Sequence, residues 1–428
     1  MGFEVKSIGE VCSVGDGAHS KVTRVETGIP YLTSKNIGQG FLKLDKLDYI
    51  SEESFEKLFS KDSKATRRPQ AGDVLFGIIG SFGNTYLYKE SDFFGFSSSI
   101  GILRPNPELL DSEYLYYVVS SKKFRDNHAN HNSGSVQGYT NIPTVKGLPL
   151  PVPSIAVQKK IAKVLQSLDR KIAVNQQTNQ TLEAMAQAIF KSWFVDFDPV
   201  KAKMRGEQPE GMDEATASLF PEKLVESELG LIPEGWDVGT LSDVAKYCSA
   251  RTKTDTITLE NYISTENMLA EKKGVTAASK LPTAKTVAAY KSGDILVSNI
   301  RPYFKKIWLA EGSGGRSNDV LGFESVSANT ESYLMNVLYQ DTFFEYMTRT
   351  SKGAKMPRGD KTAIMNWEMA VPPVELREAF SAIVDKFYQL IPQNRAQNAT
   401  LESLRDTLLP KLLSGELSLT DSLEVTNV

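Results

Sequence analysis

Cysteine and histidine are nearly absent. Two cysteines, Cys12 and Cys248, and three histidines, His19, His128 and His131, serve a chain of 428 residues. So few thiols exclude a disulfide framework and fit a reducing compartment, so a cytoplasmic protein is expected. His128 and His131 form His-x-x-His in a polar stretch with no cysteine or carboxylate cluster beside it. Surface histidines fit that pattern better than a metal site. No apolar run is long enough to span a bilayer, and the N-terminus lacks a signal-peptide pattern. There is no Gly-x-Ser-x-Gly elbow, no Gly-x-Gly-x-x-Gly register and no Asn/Asp-Pro-Pro-Tyr/Phe motif. The glycine-rich run from Gly77 to Gly83 is not followed by Lys-Ser/Thr. A serine hydrolase, a nucleotide-binding enzyme and a self-sufficient methyltransferase are each disfavoured, and neither a metal nor a cofactor is expected in this chain. Excess charge is lacking too. The net charge is −3, and the segment 196–235 alone carries −6, so the rest of the chain keeps room for local basic faces.

What is present is a repeat. Ile155 to Phe194 contains neither glycine nor proline, and Ile161, Leu168, Asn175, Leu182 and Ile189 recur every seven residues. The pattern predicts one helix of roughly 60 Å, too long to bury a stripe without a partner along its length. A shift of 219 positions (161 to 380) lays Phe380, Phe387, Asn394, Leu401 and Leu408 on the same five places, within Val374 to Leu413. Pro151-Val152-Pro153 leads into the first helix and Val371-Pro372-Pro373 into the second, a start signal in both. Pro392 lies inside the second helix, removes one backbone hydrogen bond and predicts a kink.

The parts in front of the helices repeat as well. Residues 1–150 read as a strand-rich globular unit and 236–370 as its copy. Phe3-Glu4-Val5 matches Trp236-Asp237-Val238, Pro30-Tyr31-Leu32 matches Asn261-Tyr262-Ile263, and Gly72-Asp73-Val74-Leu75 matches Gly293-Asp294-Ile295-Leu296. A single helical pattern at Ser112 to Arg125, with Leu115, Val118, Val119 and Phe124 on one face, matches Ser332 to Met347. Repetition of Gly-Asp before a strand argues for a turn in which the aspartate caps its own loop, not for a catalytic carboxylate. The intervening loops do not repeat: Phe76 to Tyr86 stands opposite Val297 to Trp308.

The architecture is then α+β. Two globular units (1–150 and 236–370) are each followed by a long helix (151–195 and 371–415), with a linker at 196–235 and a tail at 416–428. The linker reads as an extended connector packing through Leu219, Phe220, Leu224 and Leu229–Ile232. Its length lets the two helices lie antiparallel. With their centres aligned, Asn175 and Asn394 would face each other and fix the register, or leave a polar gap for water or another subunit.

The side chains left for chemistry suit a polyanion with readable edges. In the first unit they are Lys35, Asn36, Arg67, Arg68, Ser81, Asn84, Ser133, Ser135, Gln137, Tyr139 and Asn141. In the second they are Asn267, Asn299, Arg301, Tyr303, Lys305, Lys306, Arg316, Lys352, Lys355, Arg358 and Lys361. Arginine pairs with guanine, asparagine or glutamine with adenine, and lysine mainly meets phosphate. Asn299 to Lys306 interleaves all three types with aromatics in one short stretch.

On these features the chain resembles the specificity subunits of type I restriction–modification systems along its full length. The carriers are the repeated Gly-Asp-hydrophobic-Leu strand, the Pro-Val-Pro helix start with Gln158, and the linker. The linker runs Trp193-Phe194-x-Asp196-Phe197-Asp198-Pro199, then Leu219-Phe220-Pro221, then Glu228-Leu229-Gly230-x-Ile232-Pro233-x-Gly235-Trp236. One departure is Glu375-Leu376-Arg377, where the family often has a Glu-Gln pair; another is that Phe3 has no Ile-Pro-x-Gly-Trp before it. The resemblance implies two target-recognition domains separated by a coiled-coil spacer, no catalytic site, and a bipartite double-stranded DNA target. It also implies two methyltransferase subunits bringing S-adenosylmethionine, restriction/translocase subunits using ATP and Mg, and no membrane. Half-sites read on one DNA face would lie roughly 34 Å apart. Because the variable loops differ, the target should be asymmetric. The outward face with Lys159, Lys163, Arg170 and Gln177 becomes the expected dock for partner subunits. The competing reading is a two-headed coiled-coil adaptor that does not bind DNA.

Overall fold

The periodic stretches form helices: Ile155–Phe194 is one helix of 40 residues and Val374–Ser414 one of 41. The second continues through both Pro392 and Pro410, so neither proline ends it. The computed structural model describes residues 3–62, 65–131, 139–417 and 419. The chain divides into two compact units, Met1–Val174 with Gln397–Val428, and Asn175–Ala396. Each unit therefore holds one globular part and one half of each long helix.

In the first unit an antiparallel sheet runs in the order Cys12–Asp16, Ile100–Pro105, Val74–Gly77, Thr85–Leu87. A second sheet sets Asp48–Ile50 and Gly95–Phe96 on either side of Ile29–Leu32. Val5–Ser7 pairs with Pro149–Pro151, tying the start of the chain to the approach to the first helix. Ile8, Leu103, Tyr114, Leu115 and Val145 pack with Ile161 and Leu165 of the first helix and with Leu409 and Leu412 of the second. Arg405 pairs with Asp169 at 2.9 Å, and Tyr117 donates to the same carboxylate at 2.8 Å, so the helix pair and the globular part share one polar anchor. Tyr117 is held well above the ordinary phenol range, by burial first and by Asp169 second.

The second unit repeats this plan. Its main sheet runs Ala245–Tyr247, Val320–Ser325, Ile295–Ser298, Ile307–Leu309, and Asp237–Thr240 pairs with Glu368–Val371. Glu10 accepts from the Ser7 amide at 2.6 Å, and Asp243 from the Thr240 amide at 2.7 Å, the same capping device in both copies. Gly72 and Gly293 have φ of +90° and +89°, the left-handed turn their repetition predicts. Asp73 accepts from the Gln70 amide and Asp294 from the Lys291 amide, so both aspartates cap their own turns. Asp73 also pairs with Arg104 through both carboxylate oxygens; burial outweighs that pairing and raises its pKa above the usual range.

Three expectations need correction. The single helix predicted at Ser112 to Arg125 is two, Ser112–Ser120 and Lys122–Asn130, and its counterpart is Glu331–Tyr339 and Asp341–Arg349. Ser121 and Gln340 adopt extended backbone between them, and the Ser121 hydroxyl caps the second helix. The linker is not merely extended. It contains Asp198–Met204, Glu214–Ser218 and a hairpin of Leu224–Ser227 with Gly230–Pro233. Phe220 and Ile232 are buried with Trp193, Trp236 and Phe380, whereas Leu219, Leu229 and Leu231 are exposed. Finally, Asn394 donates to Asn179 at 2.8 Å, and not to Asn175, because the helices are offset by about one turn from the centred alignment. Asn175 itself is buried.

Candidate nucleic-acid interface

In the second unit two non-repeating loops meet. Ile300 bridges Arg358, the Arg301 amide donates to Pro357 at 2.8 Å, and the Gly359 amide donates to Asn299 at 3.1 Å. The loop 351–361 folds on itself through reciprocal bonds between Lys352 and Arg358, at 2.8 and 2.9 Å. Arg301 and Lys305, both with φ of +50°, flank the turn Pro302–Phe304. Glu271 and Lys272, with φ of +55° and +59°, donate their amides to Phe304 and Lys305. Four non-glycine residues in the left-handed region are costly, and such strain gathers where a loop must hold a fixed shape. Asp341 ties the arrangement down, accepting from Lys272 at 2.7 Å and pairing with Lys305 at 3.0 Å. Those two ammonium groups hold its carboxyl below the usual range.

The first unit brings its own pair of loops together by the same contacts. Ile79 bridges Tyr139, and the Thr140 amide donates to Ile78 at 3.0 Å. The following helix is capped in both copies, by Asn141 accepting from Thr144 at 2.8 Å and by Asp360 accepting from Thr362 at 3.0 Å and Ala363 at 3.2 Å. The residues beneath the junction differ. In the first unit His128 is buried, stacks on Phe82 with ring centroids 4.0 Å apart, and bonds Thr140 at 2.9 Å. Burial, then His131, lowers its pKa to about 4. His128 is thus a core residue, contrary to the surface placement its sequence context suggests. In the second unit Met347 and Gly359 take these places, and the buried Asn299 Oδ1 has no hydrogen-bond partner among the described residues.

Several residues expected to face a polyanion are spent inside the fold. Asn36 accepts from Thr33 and donates to Lys43 and Lys46; Asn267 accepts from Ser264 and donates to Tyr262 and Thr276. The two asparagines are the same loop clamp in the two copies. Arg68 makes a two-pronged pair with Glu56, at 2.8 and 3.0 Å, and lies over the Phe55 ring. Arg316 is buried and donates to the carbonyls of Val320, Cys248 and Ala289. Burial also lowers its pKa. Lys306 donates to the Thr265 carbonyl at 2.6 Å, and Lys305 is held by Asp341. Arg67 donates to the Asp16 carbonyl at 3.3 Å and Asn84 to the Ile37 carbonyl at 2.9 Å, whereas Lys352 pairs with Asp360 but its side chain stays 81% exposed.

What remains outward is concentrated at the loop junctions. Tyr303 is 46% exposed, Phe304 37% and Met356 49%, and Lys355, Arg358 and Lys361 are exposed beside them. Among the described residues the Arg301 guanidinium has no hydrogen bond to protein. Phe304, Met356 and Asp319, which faces Arg358 at 3.3 Å, are additions the sequence reading did not single out. In the first unit Tyr139 is 43% exposed, Lys35 and Asn141 are exposed, and Ser81 is half-buried. Ser133, Ser135 and Gln137 lie outside the described residues. No helix among the described residues is long and apolar enough to cross a membrane.

Residues 1–184 match the type I restriction modification DNA specificity domain. The type I restriction enzyme MjaIX specificity subunit of Methanocaldococcus jannaschii is 28% identical over 442 residues, covering 97% of this chain and 92% of that protein. The HindI specificity subunit of Haemophilus influenzae is 25% identical over 410 residues, covering 83% of this chain and 88% of that one. The crystal structure of a type I restriction-modification S subunit from M. genitalium matches with a TM-score of 0.54 at 15% identity, over 98% of this chain and 97% of that one. At that identity the likeness speaks to the fold.

Proposed function

We propose that this chain, which belongs to the family of type I restriction–modification specificity subunits, reads a bipartite, asymmetric double-stranded DNA target and carries no catalysis of its own. One observation carries the reading. The same backbone bridge, Ile79 to Tyr139 and Ile300 to Arg358, joins two non-repeating loops in each copy, so one scaffold presents two different sets of side chains. Residues 1–150 are the first target-recognition domain and 236–370 the second. The long helices at 151–195 and 371–415 set the spacer between half-sites, with Asn394 among the residues that hold their register. In this reading two methyltransferase subunits dock on the chain, supply S-adenosylmethionine and flip an adenine for N6 methylation. Restriction/translocase subunits, with ATP and Mg, complete the enzyme in the cytoplasm.

The test is to express the chain with its methyltransferase partners and map methylated adenines across a genome. An asymmetric two-part motif is expected. Exchanging residues 1–150 for the first domain of another specificity subunit should change one half of that motif and leave the other intact. Changes in both halves would contradict modular reading, and methylation without any sequence preference would favour the non-DNA adaptor.

A further inference from the structure

Tyr139 and Arg358 occupy one structural position in the two copies. Each bridges the other variable loop of its unit, at Ile79 and Ile300. In each, the next amide donates back to that loop, Thr140 to Ile78 at 3.0 Å and Gly359 to Asn299 at 3.1 Å. Two residues on, Asn141 and Asp360 cap a helix. The backbone is thus pinned on both sides while the side chain stays outside: Tyr139 is 43% exposed and the Arg358 side chain 53%. A residue held this way can vary without disturbing the fold, and its side chain starts from a fixed root. That is what base reading requires, because a bidentate contact loses its discrimination when its root moves.

Arg358 has further support. Its amide and carbonyl are both bonded to Lys352, at 2.9 and 2.8 Å. One guanidinium nitrogen, Nη2, faces Asp319 with oxygens at 3.3 and 3.4 Å. Asp319 is itself fixed to the junction, since its carbonyl accepts the Asn299 amide at 2.8 Å. Among the described residues Nε and Nη1 meet no acceptor, and the second hydrogen of Nη2 is left to form a two-pronged edge with one of them. A guanidinium braced at one nitrogen by a carboxylate, with a two-pronged edge still open, matches the two acceptors, O6 and N7, that guanine presents in the major groove. Tyrosine has one hydroxyl and cannot make that two-pronged contact.

We infer that position 139/358 is a specificity-determining position, that Arg358 reads a guanine in the second half-site with Asp319 as its positioning residue, and that Tyr139 gives the first half-site a different preference. This rests on the chain being a DNA-sequence-reading subunit. The test uses the full chain assembled with its methyltransferase partners, with methylated-motif mapping and DNA binding at several salt concentrations. Arg358→Lys and Arg358→Ala should reduce the preference for one G·C pair in the second half-site by about ten- to a hundredfold. The first half-site and the spacer should stay as they are. Asp319→Asn should relax the same base pair by a smaller factor and leave the salt slope unchanged. If Arg358→Ala instead weakens binding evenly across sequences and lowers the salt slope by about one, the arginine meets phosphate and the inference falls. It falls equally if the altered preference appears in the first half-site, or if Arg358→Lys, which keeps charge and fold, leaves the motif unchanged. A wild-type complex with no bipartite motif at all would overturn the functional reading itself, a result separable from these.

Discussion

Asn394 donates its side-chain amide to Oδ1 of Asn179 at 2.8 Å within the antiparallel helix pair of the second unit, and Asn179 in turn reaches the Ile391 carbonyl at 3.5 Å. Asn179 is 8% exposed, so its oxygen depends on this partner. Asn394→Leu would leave that acceptor unmet and should cost about 1–3 kcal/mol in chemical denaturation of the full chain. Changing both residues to leucine should recover most of the loss, because two apolar groups satisfy each other. The same double variant should tolerate altered spacer lengths in target selection, since a polar seam residue fixes register at a cost in stability. A double variant no more stable than Asn394→Leu would refute the pairing argument.

Arg377 occupies the place of Gln158 in the repeat, and the exchange is unfavourable. Gln158 is fully buried and satisfied: it donates to Leu109 at 2.9 Å and Pro153 at 2.7 Å and accepts from Asp111 at 2.8 Å. Arg377 is 8% exposed, and its Nε and Nη1 have no partner among the described residues. Its guanidinium carbon lies 6.0 Å from the centre of the Tyr333 ring. A buried cation with unmet donors is destabilising, and a cation–π contact at that distance offsets only part of it. Arg377→Gln should therefore raise the stability of the isolated chain by about 1 kcal/mol, measured by denaturant unfolding. Destabilisation by both Arg377→Gln and Arg377→Met would show that the arginine is needed where it stands.

The long helices were legible because a seven-residue period held through five positions in each leaves few alternatives, and the turn aspartates were legible because they repeat. The same reasoning, carried further, would have sorted Asn36 from the reading surface. Thr33-x-x-Asn36 and Ser264-x-x-Asn267 recur after matching strands, and both asparagines turn out to be clamps. Arg68, Arg316 and Lys306 could not be sorted in this way. Whether a cation meets solvent or a carbonyl across the fold depends on contacts 9 to 68 positions away in sequence, such as Phe59 for Arg68 and Cys248 for Arg316. The helix break at Ser121 carries no glycine or proline to announce it. The meeting of the two variable loops also had no local signal, since it arises from a single bridge in each copy.

Under the proposed function the turn at Arg301–Lys305 separates reading from support: Arg301 and the exposed Tyr303 would meet DNA, while Lys305 braces the turn through Asp341. Arg301→Ala in the assembled complex should weaken DNA binding by about tenfold. Lys305→Ala should act first on the protein, lowering its thermal midpoint by a few degrees, with a smaller change in affinity. Reversal of that order, with affinity falling steeply for Lys305→Ala and the midpoint unmoved, would return Lys305 to the phosphate-binding set.

His128 makes the first unit sensitive to acid. Its folded pKa is lowered from 6.5 to about 4, by burial first and by His131 second. Between these values the unfolded chain binds a proton that the folded chain does not, so stability rises with pH across that window. The stabilising contribution is fully present above about 6.5, and acidification removes it at roughly 1.4 kcal/mol per pH unit down to about 4. Below that the folded form is protonated as well, and this group adds no further slope. His128→Gln keeps a polar partner for Thr140 and removes the titration. Thermal midpoints of the full chain between pH 4.5 and 7 should therefore fall more steeply for the wild type than for His128→Gln. Parallel profiles would mean that His128 accepts its proton in the folded unit at an ordinary pH, and the buried, stacked geometry would then have to open to solvent.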